Sequence, residues 1–227
     1  MIRRAGRINA AINMHSDSIK SLAFGDLLAS GGGDKRIGLR DLSRSYTRLS
    51  GHRNPINRVT FASGRLLISS STDRIILREI DKILGIIEGY GITDVATDGK
   101  NIAYSIGYRS YLVNIDEILG NISKEIYKSV IKVDEPLHSL SFSPRGDLLA
   151  AGGRNIYLID PHDLSYISIG VKDKAIIGLE FSPRGDLLAS NNGTIYLWDL
   201  SDGIPKPAGV IECPESYRPS HFSEGID

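Results

Sequence analysis

Short runs of alternating apolar and polar residues recur along almost the whole chain, separated by turn residues such as Gly, Asp, Asn and Ser. The segment FSPRGDLLA occurs at residues 142–150 and again, identically, at residues 181–189, an offset of 39 residues. Weaker copies of the pattern lie at residues 19–30, 56–69 and 92–104. Self-similarity at this period indicates a repeat protein. Five units follow one another at spacings of 37, 36, 45 and 39 residues, counted between the equivalent positions Leu22, Val59, Val95, Leu140 and Leu179.

Each unit is built from similar runs in the same order. The third run of every unit ends on an acidic residue, namely Asp41, Glu79, Asp116, Asp160 and Asp199. In the first four units a fourth run follows, at residues 46–50, 83–89, 125–133 and 164–170. A period of two residues is typical of β-strands, and turn residues between the runs favour antiparallel hairpins. The pattern predicts an all-β chain of four-stranded meanders with minimal helix and with the five equivalent positions buried.

Several motifs recur at fixed places within these units. They are, besides the two FSPRGDLLA segments, Gly51-His52, the spacing of Ser30 to Asp34 and of Ser69 to Asp73, and Trp198-Asp199. Over about residues 8–200 these motifs resemble WD (Trp-Asp) repeats. Proteins of the WD-repeat family form β-propellers, with one four-stranded blade for each repeat of roughly 40 to 45 residues. The resemblance implies a divergent β-propeller of the WD-repeat type, with about five four-stranded antiparallel blades.

The repeats suggest where the blades begin and end. We predict five blades, at residues 15–50, 51–89, 90–133, 134–170 and 171–200. Propellers of this family commonly close when the first strand of the chain completes the last blade. Residues 1–14 are expected to do so here, with residues 7–13 pairing with residues 195–200. Two architectures stay open: a closed five-bladed ring, and an arc that another chain completes.

Residues 201–227 break the repeat pattern and contain four prolines. We interpret them as a C-terminal tail, because proline disfavours a central strand. Three placements stay open for this tail: across the propeller, as a short edge strand through Val210 to Glu212, or disordered until a partner binds. An internal insertion at residues 116–128 is compatible with a helical turn.

The resemblance also implies a hydrogen-bonded network of His, Ser, Asp and Trp inside a blade, with a structural and not a catalytic role. The residues at these positions are His15, Ser30, Asp34 and Arg40 in unit 1, His52, Ser69, Asp73 and Arg78 in unit 2, and Trp198 in unit 5. We assign Ile115 and Ile159 to the Trp position in units 3 and 4. The two arginines are expected to replace the indole N–H donor, with the Asp of the turn as one candidate partner.

Charge is balanced overall but divided unevenly along the chain. The 227 residues include 27 Lys and Arg against 27 Asp and Glu. Residues 1–80 carry 14 basic and 6 acidic side chains, and residues 81–227 carry 13 and 21, so the two segments have net charges of +8 and −8. Such asymmetry is compatible with an electrostatic surface for nucleic acid or for an acidic partner, and also with scattered solvated charges.

The composition also limits the chemistry that the chain can carry out. Cys213 stands alone and the five His are not spaced as metal ligands, so we predict no metal and no cofactor. Almost every Asp is explained by a turn or a strand end, including those of the two Arg-Gly-Asp triplets, so we predict no enzymatic activity. No run approaches the roughly 18 apolar residues of a membrane span, and we expect a cytoplasmic protein.

The resemblance therefore implies a non-catalytic scaffold that binds other proteins through propeller loops, either as a monomer or as a subunit of a larger complex. The usual docking face holds the loops before each first strand and those between second and third strands. On this chain those loops offer Asp17, Arg53, Asn54, Arg58, Tyr90, Tyr108, Arg109, Glu135, His138, Arg154, Lys172 and Lys174.

An alternative function is binding of RNA or a ribonucleoprotein through the basic blades 1 and 2. It requires that one continuous surface be formed by Arg36, Arg40, Arg44, Arg48, Arg53 and Arg58, because phosphate contacts need adjacent cations.

Overall fold

The computed structural model describes residues 13–41, 46–80, 82–120, 128–171 and 174–212. They fall into two compact units, Met1–Leu137 and His138–Asp227, which we describe separately. Unit 1 contains three four-stranded antiparallel sheets, which we call blades 1 to 3.

Blade 1 consists of β1 (Ile19–Phe24), β2 (Leu28–Gly32), β3 (Ile37–Arg40) and β4 (Tyr46–Leu49). Blade 2 consists of β5 (Ile56–Ser63), β6 (Leu66–Ser71), β7 (Arg74–Glu79) and β8 (Lys82–Glu88). Blade 3 consists of β9 (Ile92–Thr97), β10 (Asn101–Ile106), β11 (Arg109–Asn114) and β12 (Lys128–Lys132).

Unit 2 contains two further four-stranded antiparallel sheets, blades 4 and 5. Blade 4 consists of β13 (Ser139–Phe142), β14 (Leu149–Gly152), β15 (Asn155–Ile159) and β16 (Tyr166–Gly170). Blade 5 consists of β17 (Gly178–Phe181), β18 (Leu187–Asn191), β19 (Ile195–Asp199) and β20 (Lys206–Ile211). Within each blade, every strand pairs with its neighbour in sequence. The prediction of an all-β chain with five four-stranded antiparallel sheets is confirmed, and this architecture is consistent with a five-bladed propeller of the WD type.

The core of each unit consists of apolar side chains between successive blades. One cluster joins blades 1 and 2 and includes Ile37, Leu39, Ile56 and Val59. In unit 2 an equivalent cluster joins Ile156 and Leu158 of blade 4 to Leu179 and Trp198 of blade 5. The alternation read from the sequence therefore places one face of a strand against the next blade, as expected for a period of two residues.

Four of the five positions taken as equivalent are buried: Val59, Val95, Leu140 and Leu179. The prediction is wrong for Leu22, whose side chain is 60% exposed. The repeat pattern determines which face of β1 Leu22 occupies, but burial of that face depends on contacts with elements outside the strand, and among the described residues this side chain stays exposed.

The fourth strand of blade 5 comes from the segment that we interpreted as a C-terminal tail, for which an edge strand through Val210 to Glu212 was one of three open placements. β20 pairs antiparallel with β19, with Ile195 opposite Ile211 and Asp199 opposite Lys206. This is the edge of β19 to which the sequence analysis assigned residues 7–13, so that pairing partner is corrected. Residues 1–12 lie outside the described residues. A proline in β20, Pro207, is tolerated because β20 is the outermost strand of its sheet and lies at a register shift opposite Trp198.

The insertion in blade 3 begins with a short helix, α1 (Ile115–Leu119). The Asn114 side chain caps it by accepting a hydrogen bond of 2.9 Å from the backbone N–H of Asp116. Ile115 therefore starts a helix and does not occupy the Trp position of β11. The register places Val113 there instead, opposite Ile102, just as Trp198 lies opposite Leu188.

The two FSPRGD segments form the same turn twice. Ser143 Oγ donates to Asp147 Oδ1 at 2.6 Å and accepts from the N–H of Leu148 at 3.0 Å. The equivalent Ser182 Oγ donates to Asp186 Oδ1 at 2.7 Å and accepts from the N–H of Leu187 at 3.0 Å. The Arg-Gly-Asp triplets are thus part of hairpin turns, in which Gly has a positive φ.

Candidate functional site

Two sets of loops meet at one end of each blade, which we call the entrance end. These loops are the segment before the first strand and the turn between the second and third strands. Backbone hydrogen bonds of 2.8 Å join the two sets, from Gly33 N–H to Ser18 O, from Gly91 N–H to Thr72 O and from His138 N–H to Gly152 O. These bonds tie the loops that contain Asp17, Tyr90 and His138 to neighbouring turns.

Two tyrosines are displayed at the entrance end of unit 1. Tyr90 is 93% exposed and lies between Gly89 and Gly91, whose N–H groups donate to the carbonyls of Asp73 and Thr72. Tyr108 is 52% exposed and follows Gly107, which has a φ of +55°. Because their backbone is held in place, these aromatic side chains lose little entropy on contact with a partner, and Tyr is enriched at binding hot spots.

The other predicted docking residues differ in their surroundings. Arg53 and Arg109 in unit 1 and His138, Arg154 and Lys174 in unit 2 are exposed at the entrance ends. Arg58 is half-buried, with its Nε 3.9 Å from Asp94 Oδ1. Asp17 Oδ1 accepts a hydrogen bond of 2.6 Å from Ser18 N–H, and Asn54 donates to Asp73. Glu135 is buried, and Lys172 lies outside the described residues.

Three of the four residues assigned to the network of blade 1, namely His15, Ser30 and Asp34, lie in contact. His15 Nδ1 is 2.9 Å from Asp34 Oδ1, and His15 Nε2 is 2.8 Å from Ser30 Oγ. Burial alone would raise the pKa of Asp34, but hydrogen bonds from His15, Ser16 and Arg36 outweigh it and lower the pKa. Asp34 is therefore ionised and holds the histidine and the backbone of the turn together.

Blade 2 contains an additional serine in its network. His52 Nδ1 and Nε2 each lie 2.8 Å from a serine oxygen, of Ser71 and Ser69 respectively. Ser71 Oγ donates to Asp73 Oδ1 at 2.8 Å, and Arg74 Nε donates to Asp73 Oδ2 at 3.0 Å. The aspartate therefore reaches the histidine through a serine hydroxyl.

The residue at the Ser71 position decides which of these two arrangements forms. Gly32 in blade 1 pairs with Ile19 as Ser71 pairs with Ile56 in blade 2. A Cβ atom at Gly32 would collide with His15 Nδ1 and lie 2.6 Å from Asp34 Oδ1. Direct contact between His15 and Asp34 therefore requires glycine, whereas a side chain at this position must act as a bridge. Sequence analysis missed Ser71, although its place two residues before Asp73 could have indicated it.

His52 is held in its neutral form. Burial and the nearby Arg78 lower the pKa of His52 to about 4, with Asp73 opposing and Arg74 adding to the shift. Because the Ser71 hydroxyl donates its hydrogen to Asp73, Nδ1 of His52 donates to Ser71 and Nε2 accepts from Ser69.

Arg78 and Trp198, which occupy the Trp position in blades 2 and 5, donate hydrogen bonds to different kinds of acceptor. Arg78 Nη2 donates to the carbonyl of Ser50 at 2.8 Å, while the arginine that donates to Asp73 is its neighbour Arg74. In blade 5 Trp198 Nε1 donates to the buried Ser190 Oγ at 3.0 Å. Arg78 thus joins β7 to the segment before blade 2, and Trp198 joins β19 to β18.

Replacement of Trp198 by Phe tests the bond to Ser190. The variant keeps an aromatic ring, although a smaller one, and leaves the buried Ser190 hydroxyl without its indole donor, so we expect a loss of about 1 to 3 kcal/mol in the free energy of unfolding. Urea denaturation followed by circular dichroism measures the loss. The double variant Trp198→Phe, Ser190→Ala should recover part of the stability, and an equal or greater loss in the double variant would contradict the assigned bond.

Unit 2 also contains a groove that sequence reasoning missed. It has a volume of about 260 Å³ and is lined mainly by apolar side chains of β15, β16 and the connection from β19 to β20, including Leu158, Tyr166, Ile167, Leu200 and Pro205. Its residues come from distant parts of the sequence, and Leu200 and Pro205 were assigned to a blade end and a tail. The sequence therefore offered no pattern that would bring them together.

The arginines of the basic segment make several internal contacts. Arg48 Nη2 donates to the carbonyl of Asn13 at 2.9 Å, Arg58 lies beside Asp94, and Arg40 is half-buried. Arg44 lies outside the described residues. These contacts do not support the alternative of RNA binding through blades 1 and 2.

Within the described ranges, the structure contains no group of three or more His, Cys, Asp or Glu side chains that could hold a metal ion. No helix in the described part of the chain is long and apolar enough to cross a membrane.

Comparison with protein families agrees with this architecture. The WD40 family model, described as WD domain, G-beta repeat, matches residues 43–77 and 168–199. These two matches, together with the five four-stranded antiparallel sheets, are consistent with a WD-repeat propeller. A search of curated proteins gives no match. WD40 repeats generally serve as protein-interaction scaffolds and are generally not enzymes.

Proposed function

We propose that this chain is a non-catalytic protein-interaction scaffold that binds partner proteins at the entrance ends of its blades. The observation that carries the proposal is the display of Tyr90 and Tyr108 on loops of unit 1 that backbone hydrogen bonds hold in place. A cytoplasmic location is part of the proposal. It is supported by the single Cys213, because disulfide-rich chains are typical of oxidising compartments.

The surroundings of the two tyrosines suit a protein partner. Arg53 and Arg109 are exposed at the same end of unit 1, and Arg is enriched at binding hot spots along with Tyr. Asp17, Asn54 and Glu135 contribute to the loops rather than to the contact surface, since they bond to neighbours or are buried. We therefore assign the contact to the aromatic and cationic residues of the predicted set.

The double variant Tyr90→Ser, Tyr108→Ser tests this assignment. Tagged protein is used to capture partners from an extract of the source cells, and the captured proteins are quantified by mass spectrometry. Loss of a hot-spot tyrosine costs about 2 kcal/mol, which is roughly a 30-fold weaker affinity. We expect the partner that wild-type protein retains to be lost from the double variant.

Tyr46→Ser is the control, because Tyr46 is 57% exposed, close to the 52% of Tyr108, but lies on β4. It should retain the same partner. Equal capture by the double variant, equal loss in the control, or the absence of any retained partner would each overturn the proposal.

A further inference from the structure

The apolar groove of unit 2 lies at the end of its blades that is opposite the entrance end. Asp160 follows β15 and Tyr166 begins β16, and both residues line the groove. The connection from β19 to β20 lies at this end as well, because the turn between β18 and β19 belongs to the entrance end. β20 then runs back towards the entrance end, where the described chain stops at Glu212. The groove is therefore separate from the docking surface proposed above.

Large apolar side chains line this groove, and two of them are about half exposed. Leu158 is buried and Leu148 and Leu200 are half-buried, whereas Tyr166 is 50% and Ile167 is 49% exposed. The volume of about 260 Å³ is smaller than the roughly 300 to 1,000 Å³ that is typical of small-molecule sites. The groove therefore suits one or two apolar side chains of a larger ligand better than a whole cofactor.

Carboxylates lie beside these apolar side chains. Asp160 itself lines the groove, Asp163 belongs to the turn that joins β15 to β16, and Asp199 directly precedes Leu200. Hydrogen bonds from serine residues two positions further along the chain lower the pKa values of Asp163 and Asp199. Both of these carboxylates are therefore ionised at neutral pH.

In the described part of the chain, no Lys or Arg pairs with these three carboxylates. The nitrogen atoms of described Lys and Arg side chains all lie more than 4.0 Å from the carboxylate oxygens of Asp160, Asp163 and Asp199. The nearby Lys206 donates instead to Asp202, at 2.7 Å. The groove therefore has apolar walls and a negatively charged margin, and such a margin attracts cations.

Two features of β16 suit an extended protein segment that carries positive charge. The ring of Tyr166 meets that of Tyr157 edge to face with 5.8 Å between the centroids, and an exposed aromatic ring attracts Lys and Arg side chains. β16 is also the outermost strand of blade 4, so one side of its backbone can pair with an added strand. A protein segment provides both contacts, whereas a small cation provides only the first.

Charge also distinguishes between classes of occupant. The phosphate groups of nucleic acids and of anionic lipids have the same sign as the margin of the groove, so both classes are disfavoured. Residues 213–227 of this chain contain Glu215, Glu224 and Asp227 against Arg218 alone, so their net charge is negative as well. A basic segment of another protein has the complementary charge.

We propose that the groove of unit 2 binds a segment of a partner protein in which one large apolar side chain is flanked by Lys or Arg. The apolar side chain packs against Leu158, Ile167 and Leu200, and the cations lie beside Asp160 and Asp163. The site consists of residues of blades 4 and 5 alone. It therefore goes beyond the function proposed for the entrance ends and does not depend on it.

Selection of a random peptide library displayed on phage, with the full chain as the immobilised target, provides the probe. We expect the retained peptides to contain Leu, Ile, Met or Phe with Lys or Arg on either side. The most frequent peptide is then synthesised with a fluorescent label, and its affinity for the full chain is measured by fluorescence anisotropy. Failure to retain any peptide of this kind would overturn the proposal.

Ile167→Lys tests the apolar contact. The variant places a cation at an exposed position of the groove, so it should fold, as judged by circular dichroism, and should bind the probe roughly 10-fold more weakly. Ile86→Lys is the matched control, because Ile86 is 45% exposed and lies on β8, the fourth strand of blade 2. The control should bind the probe as the wild type does. Wild-type affinity in Ile167→Lys would overturn the proposal.

Asp160→Asn tests the charge. Asparagine keeps the Oδ1 acceptor for the N–H of His162 and removes only the negative charge. We expect the affinity for the probe to fall roughly 2- to 5-fold and to depend less on salt concentration. Asp134→Asn, at another exposed position, is the control and should change neither quantity. Unchanged affinity and salt dependence in Asp160→Asn would refute a cationic partner.

Two further measurements establish where the probe binds. The double variant Tyr90→Ser, Tyr108→Ser should bind the probe as the wild type does, whatever the result of the capture experiment. Loss of binding in that variant would place the probe at the entrance end and overturn the proposal. Synthetic peptides of residues 1–12 and 213–227 should not displace the probe. Displacement by either peptide, at concentrations at which the unlabelled probe acts, would also overturn it, because a segment of this chain would then fill the groove.

Discussion

Lowering the pH from 7 to 4 is expected to reduce the free energy of unfolding by about 3 kcal/mol through His52 alone. Burial and Arg78 lower the pKa of His52 in the folded protein to about 4, against an ordinary value of 6.5. The unfolded chain therefore binds the proton first as the pH falls. The contribution of His52 is complete above about pH 6.5 and is lost progressively down to about pH 4.

Urea denaturation at half-unit pH intervals from 7 to 4 measures this slope. The acidic residues of the networks act in a different range, because the pKa values of Asp34 and Asp73 are lowered from 3.8 by hydrogen bonds that outweigh burial. Their contribution is present above pH 3.8 and is lost only below it.

His52→Gln should flatten the slope between pH 6.5 and 4, although it lowers stability at pH 7. His162→Gln, at an exposed position, is the control and should keep the wild-type slope. If His52→Gln showed the same pH dependence as the wild type, the assignment of the slope to His52 would be wrong.

Gly32→Ala is expected to cost about 2 to 3 kcal/mol, a large loss for a single methyl group. The added Cβ atom would displace His15 from Asp34 and leave buried polar groups without their partners. Gly170→Ala is the matched control, since its Cβ atom would meet its nearest neighbour, Asn155 Oδ1, at an ordinary distance of 3.8 Å. The control should change stability by less than about 0.5 kcal/mol.

Gly32→Ser separates a steric cost from a hydrogen-bonding cost. A serine at this position can bridge histidine and aspartate as Ser71 does in blade 2, so the serine variant should be more stable than the alanine variant by about 1 kcal/mol. Urea midpoints of both variants measure the difference. Equal midpoints would show that a bridging hydroxyl cannot form in blade 1.

Much of the fold could be predicted from the sequence because alternation and turn residues are local signals. FSPRGD forms a turn wherever it occurs, since Ser143 and Ser182 bond to nearby residues. The fourth strand of blade 5 was assigned to residues 7–13 and not to β20 because Pro205 and Pro207 resemble a tail, although an edge strand tolerates proline and one through Val210 to Glu212 was left open. The burial of Leu22 was mispredicted because elements outside the strand, not the strand itself, determine coverage.

For the candidate site as well, features with a local sequence signal could be predicted and features that depend on distant residues could not. The exposure of Tyr90 and Tyr108 could be predicted from their places in turns next to glycine. The burial of Glu135 could not, because it depends on neighbours far away in the sequence. The bridging Ser71 was missed because the resemblance supplies a pattern with one serine, and blade 2 uses two.

The pairing of β20 with β19 has a consequence for folding during synthesis. In every described blade the four strands are consecutive in the chain, and each sheet order is the order of translation. A blade can therefore form as soon as its own fourth strand leaves the ribosome, without waiting for a distant segment to arrive. Since local contacts form faster than distant ones, newly made strand edges stay unpaired only briefly, which limits aggregation on the polysome.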